Sequence, residues 1–202
     1  SRRQRQMCIR DRFRVALAEG VSSWQVYKAL SEIKFLSGKL ENIPDEGTIA
    51  PASYDFVIGM TKEALIKKMQ ERQASILNEA WNARQPNLPI NTKQEALILA
   101  SIIEKETSLK TERGKVSSVF VNRLLREIPL QTDASVIYGI TRGKKVLGRG
   151  LRRSELKKDT PWNTYVNKGL PPSPIGNPGK ASIHAALNPD ITNYLYFVAD
   201  GS

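Results

Sequence analysis

Cysteine is almost absent from this chain: Cys8 stands alone in 202 residues. A single thiol excludes an internal disulfide and any cysteine-based metal cluster, and it leaves the redox compartment undetermined. Histidine is as scarce. His184 is the only one, and no Ser or Cys beside it makes a nucleophile–base pair. Histidine-dependent triads and His-rich metal sites are therefore set aside. No run of about 18 apolar residues occurs, so no segment reads as a membrane span, and the basic start lacks the apolar stretch of a signal peptide. The G-x-x-x-x-G-K-[ST] phosphate loop is missing too. No cofactor and no metal are expected.

What remains has the makeup of a globular protein, with 40% hydrophobic and 25% charged residues. A chain of this length can bury roughly 70% of its unfolded surface, enough for one domain or one plus a small satellite. The net charge is +11, unevenly spread. Residues 1–12 hold five arginines, one aspartate and Cys8 with no periodicity, and they read as an extraneous or disordered segment; without them the charge falls to +7. Residues 141–160 carry eight Lys/Arg against Glu155 and Asp159, a net of +6. Such a patch attracts polyanions by its field, and a solvated loop explains it equally well. It has no aromatic residue to stack on bases, so nucleic acid is not an expected partner.

A weak repeat marks the N-terminal part. Phe13-Arg-Val-Ala-Leu17 reads as a strand, then Gly20-Val-Ser22 leads into a helix from Trp24. Thirty-nine residues on, Tyr54-Asp-Phe-Val-Ile58 and Gly59-Met-Thr61 repeat the pattern, and the second helix keeps its spacing to about Ala83. Ser22 and Thr61 are both N-cap types. The break at Gln85-Pro-Asn-Leu-Pro89 reads as a boundary, giving units of 13–84 and 90–202. In the second unit the spacing predicts helices over 95–107, 112–127 and 181–187, a long Pro/Gly-rich loop over 169–179, and a buried strand at 194–198. Ending directly after that strand, the chain is expected to stop before its domain does. The fold class is α+β.

The most informative stretch is Glu95-Ala-Leu-Ile-Leu-Ala-Ser-Ile-Ile-Glu-Lys-Glu-Thr107. Thr92 and Glu95 form a capping box that sets its start. Leu99, Ile102 and Ile103 share a stripe whose next member is Glu106, whereas Glu104 lies on the line of Leu97, Ala100 and Ser101. A carboxyl on an apolar stripe is desolvated and holds its proton nearer to neutrality, as a general acid must. A helix that emerges into solvent, with both glutamates on its last turn, fits the pattern as well.

Several motifs then occur in order over about 110 residues: Ala100-Ser-Ile-Ile-Glu-Lys-Glu-Thr107, Val119-Phe-Val-Asn-Arg123, Leu130-Gln-Thr-Asp133 with Val136-Ile-Tyr-Gly139, Asn163-Thr-Tyr165, Gly169-Leu-Pro-Pro172, Asn177-Pro-Gly179 and Tyr194-Leu-Tyr-Phe-Val-Ala-Asp-Gly201. Together they resemble the endolytic murein transglycosylases, the YceG-like family. The chain departs from that pattern at Trp162, where the family has tyrosine. The family also has an N-terminal membrane anchor and, after the position of residue 201, a Gly-His-x-Phe segment and a final helix, so this sequence is expected to be truncated at both ends.

The resemblance implies a small LysM-like β/α subdomain before a helix-rich catalytic domain with a small sheet. It implies that Glu106, directly before Thr107, is the catalytic acid. Gln131, Thr132, Asp133, Asn163, Tyr165 and Asn177 are then expected to line the glycan cleft, with Tyr138 stacking on a sugar or fixing Glu106. Asp133 as a helix cap and Asn177 as a turn residue are the plainer alternatives. Asn122 and Arg123 are expected to join two helices. The implied activity is lytic cleavage of the MurNAc–GlcNAc β-1,4 bond in peptidoglycan strands, leaving 1,6-anhydroMurNAc ends. It is placed at the outer face of the bacterial inner membrane, in the periplasm, with peptidoglycan synthases as candidate partners. Basic residues of 142–158 are candidates to meet stem-peptide carboxylates. A non-catalytic peptidoglycan-binding module is the first alternative and a nucleic-acid-binding protein the second. An older link of the family to a PLP-dependent lyase finds no identifiable Schiff-base lysine.

Overall fold

A computed structural model describes residues 12–197. The architecture is mixed α and β, two apolar cores joined by one long helix. Strand β1 (Arg12–Ala16) pairs antiparallel with β2 (Ser53–Val57), Arg12 opposite Val57 and Ala16 opposite Ser53. Between them lies α1 (Ser23–Glu32), entered through a capping box: Ser22 Oγ accepts from the Gln25 N–H at 3.1 Å, and Gln25 Oε1 accepts from the Ser22 N–H at 2.9 Å. Tyr54 and Phe56 alternate inward from β2 onto Val26 and Leu30 of α1, which closes the first core. Gly20 and Gly59, the matched turns of the repeat, both have positive φ, +76° and +87°, a conformation that favours glycine. Because Arg12 lies inside β1, the segment set aside as extraneous extends at least one residue too far; residues 1–11 lie outside the described residues.

Helix α2 (Lys62–Asn82), N-capped by Thr61, spans about 30 Å and serves both cores. Leu65, Ile66 and Met69 seal the first, and Leu77 and Ala80 enter the second. The break at 85–89 ends the helix without separating the cores. Leu88 and Ile90 pack into the second core, and the Gln85 N–H donates to the Leu187 carbonyl at 3.0 Å.

The second core surrounds α3 (Lys93–Glu106), whose residues from Ala96 to Ile103 are all buried. Helices α4 (Arg113–Leu125), α5 (Asp133–Thr141) and α7 (Lys180–Leu187) pack around it, and the short α6 (Arg153–Lys157) lies in the basic segment. The 169–179 loop crosses from α3 to the first core. Ser101 Oγ accepts from the Ile175 N–H at 3.0 Å, and the Asn177 N–H donates to the Val21 carbonyl at 2.8 Å. Gly176 passes so close to the first unit that a Cβ there would lie 2.7 Å from the Gly20 carbonyl oxygen.

The buried strand predicted at 194–198 does not form within the described residues. Tyr194 and Tyr196 are exposed, and the only sheet there is β1–β2, so the second unit has no sheet of its own among them. A strand needs an adjacent edge, and side chains hold this segment instead: Asn122 Nδ2 donates to the Thr192 and Tyr194 carbonyls at 2.9 Å each, and Arg123 Nε to that of Leu195 at 2.7 Å. Asn122 and Arg123 therefore do not join α3 to α4. They fasten the C-terminal segment, and Arg123 Nη1 also reaches the Leu130 carbonyl at 2.8 Å.

Candidate active site

Helix α3 ends in three ionisable side chains that point three ways. Glu104 is all but sealed, its side chain 4% exposed. One oxygen meets Arg113 Nη2 at 2.8 Å, and the other accepts from the Gly179 N–H at 2.9 Å. Arg113 is equally buried and also reaches Glu19 at 3.2 Å. Lys105 turns toward Gly20 and Gly176, between the charges of Glu46 and Glu104, and burial lowers its pKa from the usual lysine value. Glu106 faces α5 and has no ion-pair partner among the described residues.

The surroundings of Glu106 raise its pKa above the ordinary glutamate value. Burial is the main cause, the negative charge of Asp133 adds to it, and the Thr132 hydroxyl opposes it. That hydroxyl is buried and meets no partner with full hydrogen-bond geometry, so its hold on Glu106 is weak. Gln131 sits just before it with φ +53°, an uncommon conformation for a residue with a side chain. Its exposed position is set by its N–H, which donates to the Thr164 carbonyl at 3.0 Å. Thr132 is aligned likewise, its N–H donating to Thr164 Oγ1 at 3.0 Å.

Asp133, in the first turn of α5, accepts a 2.6 Å hydrogen bond from the Tyr165 hydroxyl. Burial and the neighbouring Asp133 push the Tyr165 pKa up to about 12, with Glu106 adding to the effect, so this phenol stays protonated and donates. Glu106, Thr132, Asp133 and Tyr165 thus form one cluster, with Gln131 at its edge.

Three other predicted site residues sit elsewhere. Asn163 is fully buried: its amide nitrogen donates to the carbonyls of Glu155, Leu156 and Lys158, and its oxygen accepts from the Tyr165 N–H. Asn177 is fully buried too, its oxygen accepting from the Ile49 N–H at 2.9 Å and its nitrogen donating to the Val21 carbonyl at 3.0 Å. Neither lines a cleft. Their amides replace missing backbone partners inside the frame. Tyr138 neither bonds Glu106 nor stands free, because its hydroxyl donates to Glu46 Oε2 at 3.0 Å. Its ring tilts against Trp162, 6.1 Å between centroids, and the Arg142 guanidinium lies 3.5 Å above the Trp162 ring.

Glu46 went unnoticed in the sequence. It lies in an irregular loop, 92 residues from Tyr138, and only its neighbour Gly47 hinted at a tight turn there. Burial raises its pKa, and the Ser23 N–H, donating to it at 2.7 Å, opposes the shift. A separate hollow of about 660 Å³ on the Arg113 side is lined by Glu19, Lys110, Lys180, His184 and Asp190, and it contains none of the predicted site residues. Among the described residues no three His, Cys, Asp or Glu side chains stand close enough to hold a metal ion.

Comparison with known proteins points to one family. The chain is similar to the endolytic murein transglycosylase of Bacillus subtilis, 40% identical over 157 residues that make up 77% of this chain and 42% of that protein. It is similar to the protein of the same name from Streptococcus pneumoniae, 34% identical over 161 residues, 77% of this chain and 28% of that one. The chain thus spans less than half the length of these curated relatives. A crystal structure of a YceG-like protein from Listeria monocytogenes matches with a TM-score of 0.73 at 28% identity, over 93% of this chain and 70% of that one. The sequence model of the YceG-like family matches residues 3–202, which takes in both cores and the Glu106 cluster, and the chain belongs to that family.

Proposed function

We propose that this chain is the catalytic part of an enzyme that cuts peptidoglycan strands at the MurNAc–GlcNAc β-1,4 bond, with Glu106 as its acid. The observation that carries the reading is a desolvated carboxyl with a raised pKa and no counter-ion among the described residues, at the end of the helix that anchors the second core. The names of the relatives supply the substrate class.

In the lytic reaction the protonated Glu106 gives its proton to the glycosidic oxygen as the C1–O4 bond breaks. The C6 hydroxyl of the same MurNAc then attacks C1, and the Glu106 carboxylate takes its proton, which restores the acid and leaves a 1,6-anhydro ring. One carboxyl serves both steps, worth roughly 10²–10⁴-fold in rate. Intramolecular attack carries a high effective molarity, which helps offset the lack of a second catalytic carboxylate. Thr132, Asp133, Tyr165 and Gln131 would hold the sugars around the scissile bond. The β1–α1–β2 unit is read as LysM-like, and the work is placed outside the cytoplasmic membrane, where the polymer lies.

A second reading is hydrolysis, favoured by Asp133 in the same cluster, since paired carboxyls can activate water. Mass spectrometry of the soluble products from purified peptidoglycan separates the two. Anhydro ends that vanish in Glu106→Gln support lytic cleavage, and reducing MurNAc ends mean hydrolysis. No cleavage by a folded chain that still sediments with peptidoglycan means a binding module.

A further inference from the structure

We infer that Glu46, contributed by the N-terminal unit, is a positioning residue of the Glu106 site, acting through Tyr138 on α5. The inference rests on the reading of Glu106 as the acid. Helix α5 presents Thr132 and Asp133 to Glu106 at its start, so its placement sets the geometry around the proton. Tyr165 holds that start through Asp133, at 2.6 Å.

The other end of α5 is held from the first unit. The Tyr138 hydroxyl donates to Glu46 at 3.0 Å, and the Ser22 hydroxyl donates to the Gly143 carbonyl at 2.6 Å, just past the helix. Gly143 has positive φ, and a Cβ there would collide with the Ser22 side chain, so the two surfaces meet at close range. Glu46 is itself fixed, by the Ser23 N–H at 2.7 Å and the Asn177 amide at 3.4 Å. A half-buried carboxyl with both oxygens in use, held in the first unit and accepting from a hydroxyl packed against the second core, is costly to keep unless its position matters. The N-terminal unit is then part of the catalytic frame, in addition to any grip it has on glycan.

The test uses Tyr138→Phe, Glu46→Ala and Glu46→Gln in the full chain, each assayed for thermal unfolding and for kcat and KM on peptidoglycan strands, beside Glu106→Gln. Displacing a reacting group by about 1 Å costs about 10²-fold. Tyr138→Phe and Glu46→Ala should each lower kcat by about that factor, with KM within about threefold. The double variant should be no worse than the weaker single one, because the two residues act as one link. Glu46→Gln keeps acceptor oxygen and should recover most of the loss. If Glu46→Ala does not fold, Tyr138→Phe decides alone, since it removes a single oxygen. Wild-type kcat in folded Tyr138→Phe, with Glu106→Gln inactive, overturns the positioning role and leaves the acid in place. Wild-type kcat in Glu106→Gln overturns the reading of the site itself.

Discussion

Glu104 and Glu106 lie two residues apart on one turn of α3, and their surroundings differ in kind. Both are withdrawn from water. Glu104 is answered by Arg113 at 2.8 Å and a backbone N–H at 2.9 Å, whereas Glu106 is answered by no cation among the described residues. Burial alone therefore does not pick out the proposed acid. A buried carboxyl bound to a buried guanidinium belongs to the frame, and one without a counter-ion is driven toward its protonated form and can deliver that proton. The helical stripe pointed to Glu106, but α3 is buried on nearly every side, so the stripe is not what separates the two.

The contrast is open to attack at both ends. The largest effect belongs to Glu106→Gln, which should lower turnover by roughly 10²–10⁴-fold with the near-ultraviolet circular dichroism unchanged. Glu104→Ala should do the reverse. It leaves the Arg113 charge buried, and removing one member of a buried pair costs about 3–5 kcal/mol, read as a loss in urea unfolding. Replacing Glu104 and Arg113 together by apolar residues of similar size should recover much of it, and a double variant as unstable as the single one would refute the ion-pair reading.

A smaller effect is expected where the frame uses side-chain amides. Asn163→Ala strands the carbonyls of Leu156 and Lys158, and Asn177→Ala strands the Ile49 N–H, whereas the Val21 carbonyl keeps the backbone N–H of residue 177. Each should cost about 1–3 kcal/mol of stability by denaturant titration. If either variant instead kept its stability and lost only substrate affinity, that asparagine would belong to the cleft after all.

The smallest effect has the opposite sign. The folded protein binds the Glu106 proton more tightly than the unfolded chain does. The associated stability is complete below the unfolded carboxyl value and is lost as pH rises through the raised folded one. Gln cannot ionise, so Glu106→Gln should unfold at a slightly higher temperature than the wild type at neutral pH, and the gap should close in acid. A variant that is less stable at neutral pH would mean that the ionised form is welcomed in its site.

The local code was legible and the long-range code was not. Thr92 and Glu95 make the capping box that starts α3, Ser22 and Thr61 cap α1 and α2, and Gly20 and Gly59 share one turn geometry, all within a few residues of sequence. Helix α5 was harder to see. Its residues from Asp133 to Thr141 carry no side-chain cap and only a short apolar face. Asn163 and Asn177 sit in motifs and so read as ligand-binding, yet their partners lie in the frame, the Asn177 ones more than 120 residues away. Glu46 had no pattern around it, since its meaning comes wholly from Ser23, Tyr138 and Asn177. The strand predicted at 194–198 does not form among the described residues for a related reason: apolar alternation cannot say whether an edge is waiting.

The most direct test of this contrast is a carbon-detected NMR titration of the Glu106 carboxyl in protein labelled at glutamate, assigned by its loss in Glu106→Gln. The prediction is a midpoint clearly above the ordinary glutamate value of about 4.3. A midpoint at or below that value would contradict it, because a carboxyl already ionised in mild acid is not the proton donor assigned to the end of α3.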